Sequence, residues 1–572
     1  SLSASAGSIS MSGTSKTISG AGTRSFSVLN ISGSITTDAD FSIASGLTVE
    51  GSFSASAGTG TFTGTSTLSG TADLYNATIN GTSLQLSSGA VMGVGNTFTI
   101  SSGTLNVTSS IPNTVRFNGS GAQTVNAITY DVLQLSNGNT KTAAGGITVN
   151  NTITIGAATT FAAGAYTHSI YMDWNNNGTF TAGSGTVQFL GTQNRTLTGV
   201  TAFNTVTVNT ASGTSSLILN DNISAATVNM TQGMILTGAN ALTITTTRTG
   251  NGIILGNILR THTFSTGIAY AFEGPDNTIT FSSVSSVDSV LVSVAQEPIT
   301  GFPYDASISR EYEITIPNGT YTATLRLHYE DNELNGNAES TLALWTFDGT
   351  YWIPVGKTAN STTSNYVEHS GLTDVEGFWT CSYSQDIAQW NGSVSSDWNT
   401  AANWTILQGA GSLPPGPTDI AVLGTAAFNH EPTISTAVTV KNTVFGSAQA
   451  VTLTMAGGGS LNSGNILGVW NGVAAAHTIY VNNQSIVIDG DLSLSDGTSG
   501  HTIDLNIGAG SVTISGTLHQ VGGADVVFSS AGALNIADDY HYVSGTFTPG
   551  TGTVTYNGVV NQAIAAVDYY NL

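Results

Sequence analysis

Charge is what this chain has least of. Across 572 residues only 8% are Asp, Glu, Lys or Arg, against roughly 25% in ordinary globular domains. The shortage is one-sided: 11 basic residues face 34 acidic ones, for a formal net charge of −23. That balance repels nucleic-acid phosphates and leaves no Lys/Arg stripe to follow a backbone, so no nucleic-acid partner is expected. The same sign disfavours anionic membrane surfaces. Cysteine is nearly absent. The single Cys381 excludes an intramolecular disulfide framework and, inside a strand-like run, reads as packing. No uninterrupted apolar run reaches about 18 residues, so no membrane insertion is expected. Ser1-Leu2-Ser3 carries neither an initiator Met nor a signal peptide, and the chain stops at Tyr569-Tyr570-Asn571-Leu572 inside a motif that elsewhere continues. Both ends therefore look cut from something longer.

What is present is alternation and repetition. Hydrophobic residues make up 40%, and Val, Ile, Leu and Phe alternate with Thr and Ser at period two, which argues for ordered β-structure over disorder. A short motif recurs around Met11, Phe62, Phe117, Phe189 and Tyr556, each with a glycine two residues later: Gly13, Gly64, Gly119, Gly191 and Gly558. A second aromatic follows each copy (Phe26, Tyr75, Tyr130, Phe203, Tyr570) and opens a short alternating strand. A chain that repeats one small β unit is first a construction material. The fold expected is all-β: parallel β-solenoid segments flanking an antiparallel, Ig-like β-sandwich, with tandem β-sandwiches as the competing architecture for the first segment.

Four stretches differ in texture. Residues 1–255 read as β-solenoid repeats and 256–388 as the sandwich domain. The sandwich region is richer in acids and prolines, with strands expected over Val287–Val294, Glu311–Ile316, Tyr321–Tyr329 and Thr341–Phe347. Turns at Pro317-Asn318-Gly319 and Asp348-Gly349 predict hairpins there. Residues 389–417 form a Trp-rich junction, with Trp390, Trp398 and Trp404 inside fifteen residues, and 418–572 return to solenoid repeats.

The segment Trp-Asn-Gly-Ser-Val-Ser-Ser-Asp-Trp-Asn-Thr-Ala-Ala-Asn-Trp (Trp390–Trp404) resembles the opening of repeat modules in very large surface proteins of Bacteroidota. So does Gly-Thr-Phe-Thr-Pro-Gly-Thr-Gly-Thr-Val-Thr-Tyr-Asn-Gly (Gly545–Gly558), while Leu325–Gly336 and Leu342–Trp352 resemble the sandwich domains interspersed in them. The resemblance covers most of the chain, most firmly 111–210 and 310–572. It implies a cell-surface or released location, type IX export and a structural or adhesive role. It carries over no catalytic residues.

Few constellations point to chemistry. Asp173-Trp174-Asn175-Asn176-Asn177-Gly178 matches half of a calcium loop, but Ser184 stands where the bidentate Glu belongs, so a polar turn is expected. Glu330, Asp331, Glu333 and Glu339 put four carboxylates in ten residues. The plain reading is a solvated hairpin loop; if the chain takes a cation, it is calcium on Asp331, Glu333 and Glu339, and no other cofactor is expected. The nine histidines are spread singly along the sequence, without metal spacing, so no zinc is expected. The carboxylates of 1–255 are scattered, without the stacked acid–base groups that a β-helix polysaccharide-degrading enzyme needs. The expectation is a non-catalytic extracellular protein, a stalk or filament/sheath component contacting copies of itself. A glycan-binding adhesin is the alternative and a polysaccharide-degrading enzyme a remote one.

Overall fold

The computed structural model describes residues 2–210, 215–299, 302, 307–347, 352–383, 386–408, 411–470 and 474–572. The predicted Asp348-Gly349 turn lies outside them. The chain forms two compact units: one of Ser1–Glu297, Arg310–His328 and Ser370–Glu376, the other of Pro298–Ser309, Tyr329–His369 and Gly377–Leu572.

The first unit is a stack of parallel coils. Ala241 lies beside Asn257 and Trp174 beside Leu197, so one coil takes 16 to 23 residues. Each strand therefore pairs with its counterpart one turn away, and the same side-chain alternation repeats rung upon rung. Inward positions hold Val, Ile, Leu and Phe; Phe62, Phe117 and Phe189 are fully buried. The motif glycines sit where two rungs touch. A Cβ on Gly119 would stand 1.9 Å from the Gly95 carbonyl oxygen, and one on Gly64 2.2 Å from that of Ala44. Gly191 instead adopts φ +103°, a conformation that side chains rarely take.

The second aromatics differ in burial. Phe26, Tyr130 and Phe203 are buried, but Tyr75 is 36% and Tyr570 60% exposed. Leu74 takes the inward place at the end of strand Thr65–Leu74, and a pleat of period two then turns Tyr75 outward.

The last coil converts into antiparallel structure without a break. Ile253–Thr261 pairs in parallel with Met234–Thr249 on one edge and antiparallel with Ser289–Ala295 on the other, and Ser289–Ala295 pairs with Glu311–Thr315. A second antiparallel ladder joins Ala269–Ala271, Thr278–Ser285 and Thr320–His328. The expected hairpin around Pro317-Asn318-Gly319 is thus a corner: the strands before and after it join different ladders. The two ladders are held together by the Tyr312 hydroxyl, which donates to the His328 carbonyl (2.5 Å). Between them a fully buried Arg310–Glu273 ion pair closes at 2.6 Å.

In the second unit Leu342–Phe347 lies antiparallel between Trp352–Gly356 and Gly377–Tyr383. The solenoid of this unit begins at Asp386–Trp390, which pairs in parallel with Asp419–Leu423 and antiparallel with Trp404–Gln408. Three parallel sheets then enclose one apolar core, with Val438, Leu461, Ile486, Val512, Leu534 and Val554 stacked on one of its walls. Trp390, Trp398 and Trp404 pack against one another at ring separations of 4.6–6.4 Å and close the first end of this core.

Candidate functional site

The outward positions of the coils form lanes of neutral polar groups. A parallel ladder sets equivalent residues about 4.7–4.9 Å apart, close enough for short side chains to bond along the stack. Thr17 and Thr36 do so at 3.0 Å, Ser34 and Ser52 at 3.1 Å, Ser69 and Ser87 at 2.8 Å, and Thr227 and Thr247 at 3.2 Å. Amides join in: Asn96 donates to Asn76 (2.9 Å), Gln188 to Ser169 (2.7 Å), Asn220 to Thr198 (3.0 Å) and Asn535 to Thr513 (3.3 Å). Each bond fixes two side chains with few rotatable bonds, so ordering costs little entropy. The remaining lone pairs and protons face solvent in a fixed row.

The scarce cations are mostly spent inside. Arg24 donates to the carbonyls of Gly20, Gly22 and Asp40, Arg195 to those of Leu190 and Gln193, and Arg248 to those of Gly250, Gly252 and Glu273. Lys141 is fully buried and gives its ammonium to Gly119 O (2.6 Å), Gly121 O (3.0 Å) and Gln123 Oε1 (2.8 Å). Burial pulls its pKa below the usual lysine range. Burial likewise pulls Lys441, whose ammonium stands 4.2 Å from the Tyr383 ring centre, down to about 8. Arg116 and Arg326 stand nearer solvent, paired with Asp73 (2.8 Å) and Asp276 (3.1 Å).

These contacts complete the repeat motif. In three of the five copies a long polar side chain stands four residues after the motif glycine, Gln123, Arg195 and Gln562, where the other two have Thr17 and Leu68. Gln123 accepts from the Gly119 N–H (2.9 Å) and donates to Val94 O and Asn96 O of the preceding coil. Gln562 repeats this with Gly558 N–H, Ile536 O and Asp538 O. The staple answers the polar backbone of a buried corner, which otherwise costs about 1–3 kcal/mol per unpaired group. Aligning the copies at the glycine exposes this position; the match on aromatic and glycine alone passes over it.

The residues singled out for calcium are engaged separately. Asp331 accepts from Asn365 (2.6 Å), buried Glu333 accepts from the Glu330 N–H (2.8 Å) within the 3₁₀ turn Asp331–Glu333, and Glu339 opens the next turn, Glu339–Thr341. Asp173 accepts from both the N–H and the hydroxyl of Thr196, and Asn176 donates to Val200 O and Thr201 Oγ1. Among the described residues no three His, Cys, Asp or Glu side chains gather as a metal-ligand set. Two histidines do meet: His519 and His541, far apart in sequence, are direct partners on adjacent rungs. A groove of about 550 Å³ lies over Gly20–Arg24 and Asp38–Ser42. Its Arg24 is committed to carbonyls, and Asp40 accepts from the Thr59 N–H at 2.8 Å. Cys381 is buried. Among the described residues no helix is long and apolar enough to cross a membrane.

No family model, curated protein or solved structure matches this chain.

Proposed function

We propose that this chain is a non-catalytic structural protein of the cell surface, a stalk or sheath component that associates with copies of itself through its neutral β-faces. The observation that carries this reading is the division of polar groups: cations turned inward onto corner carbonyls, hydroxyls and amides turned outward in lanes. Two such faces meet without stranding a charge, which would cost several kcal/mol per buried ion. The edge-guarding lysines by which soluble β proteins usually avoid one another are sparse. Continuous backbone ladders supply the stiffness a stalk needs, and the resemblance to Bacteroidota surface proteins supports an extracellular location.

Adhesion to glycans is the second reading, favoured by the exposed rings of Tyr166 and Tyr171 on the same coils as the lanes. The tryptophan trio takes no part in it, because all three indoles are buried. Light scattering and negative-stain imaging across a concentration series test the choice. Fibres or ordered lateral arrays are the expected result. Strictly monomeric particles at high concentration overturn self-association, and retention on a glycan array then makes adhesion the better account.

A further inference from the structure

We infer that His519 and His541 form a two-imidazole site for a late first-row divalent metal ion, Ni²⁺, Cu²⁺ or Zn²⁺. The strands Leu518–Gln520 and Tyr540–Tyr542 pair in parallel with His519 directly beside His541. Their Nδ1 atoms stand 3.5 Å apart, with the rings inclined at 79°. That distance is long for an N–H···N hydrogen bond. It suits a shared cation: two metal–nitrogen bonds of about 2.0–2.1 Å meeting at a tetrahedral angle place their nitrogens about 3.4 Å apart. Imidazole is the ligand these ions favour.

The pair is held in place from behind. Leu518 and Gln520 flank His519 and are fully buried, and Tyr540 beside His541 is buried as well. The Tyr540 hydroxyl donates to Gln520 Oε1 (2.5 Å), and Gln520 Nε2 donates to Ala524 O (2.7 Å) and Thr546 O (2.9 Å). Both backbones are therefore pinned while the rings face outward, His519 half-buried and His541 exposed. Among the described residues neither ring has another hydrogen-bond partner. The nearby acids serve their own turns: Asp538 accepts from the Thr517 hydroxyl (3.1 Å) and Asp539 from the Ala563 N–H (2.6 Å). The chain thus supplies two nitrogens, and the other coordination positions stay open to water or to a donor on another molecule.

Titration calorimetry of the tag-free full chain with NiCl₂ tests this. One saturable site is expected, and His519→Ala or His541→Ala should each weaken it by at least about tenfold, since loss of even an outer-shell partner costs roughly 10–100-fold. His369→Ala should leave it unchanged. His541→Thr, which keeps strand propensity at the exposed position, should lose binding as His541→Ala does. With Cu²⁺, electron paramagnetic resonance should show couplings to two imidazole nitrogens in the parent chain and to one in either single variant. Equal Ni²⁺ binding by the parent and the double variant, or unchanged Cu²⁺ spectra, would overturn the assignment.

Discussion

Gly119 shows how narrowly a single residue is specified where two coils touch. Its missing side chain lets the Gly95 carbonyl approach, and a methyl group there would sit 1.9 Å from that oxygen. Gly119→Ala should lower stability by about 1–3 kcal/mol, the usual cost of overpacking. Gly121, two residues on, has nothing within 4 Å of the same methyl position. Gly121→Ala should be neutral or stabilising by up to about 1 kcal/mol. Urea melts of the two variants separate close contact from chain flexibility as the reason for glycine. His477 is specified by its proton. It is fully buried against Phe445 and Trp470, and its Nδ1 accepts from the Val451 N–H at 3.1 Å, which requires the neutral ring. Burial pushes its pKa down from 6.5 to about 4. The unfolded chain therefore binds the proton first as pH falls. The stabilisation is complete above about pH 6.5 and is lost as pH drops through 4, on the order of 3 kcal/mol in all. His477→Gln, which cannot titrate, should flatten the stability curve between pH 6.5 and 4 relative to the parent; an unchanged slope would mean that the ring charges at no cost.

At the scale of the strand and the coil, no rung stands alone. One coil exposes its apolar face above and below, so a fragment such as 114–131 should show no cooperative melt or protected amides, whereas a stack of coils does. A folded single coil would contradict the stacking account. This interdependence also sets what the sequence reveals. Period-two alternation and the Phe117, Phe189 and Tyr556 motif copies point to stacked β coils because each inward position answers to its own neighbours. Pairing between distant segments is less legible. The strands Glu311–Thr315 and Thr320–His328 look like a hairpin from their turn, yet they join separate ladders. His519 and His541 look solitary, because the rung length that aligns them varies along the chain. Gln123 and Lys141 read as surface residues from polarity alone, since only the corner carbonyls around them explain their burial.

At the scale of the whole chain, the inward turning of Arg24, Lys141, Arg195, Arg248, Arg260 and Arg310 has a consequence for resistance to proteolysis. Trypsin-like proteases recognise Lys and Arg side chains presented on an extended, accessible segment. Here six of the eleven such side chains are buried, five of them bonded to backbone carbonyls and Arg310 to the Glu273 carboxylate. Cleavage at those points has to wait for a coil to open, so its rate follows the population of the opened form. Exposed Lys16, near the first strand, is the natural early cut. Limited trypsin digestion should therefore trim the amino-terminal end quickly and leave one large, long-lived core on a gel. Rapid fragmentation at Lys141 or Arg195 would show that those staples open far more readily than their burial implies. A stack of such coils would resist a common class of degradative enzyme with no disulfide to protect it, because it keeps more than half of its few cleavage sites folded inside.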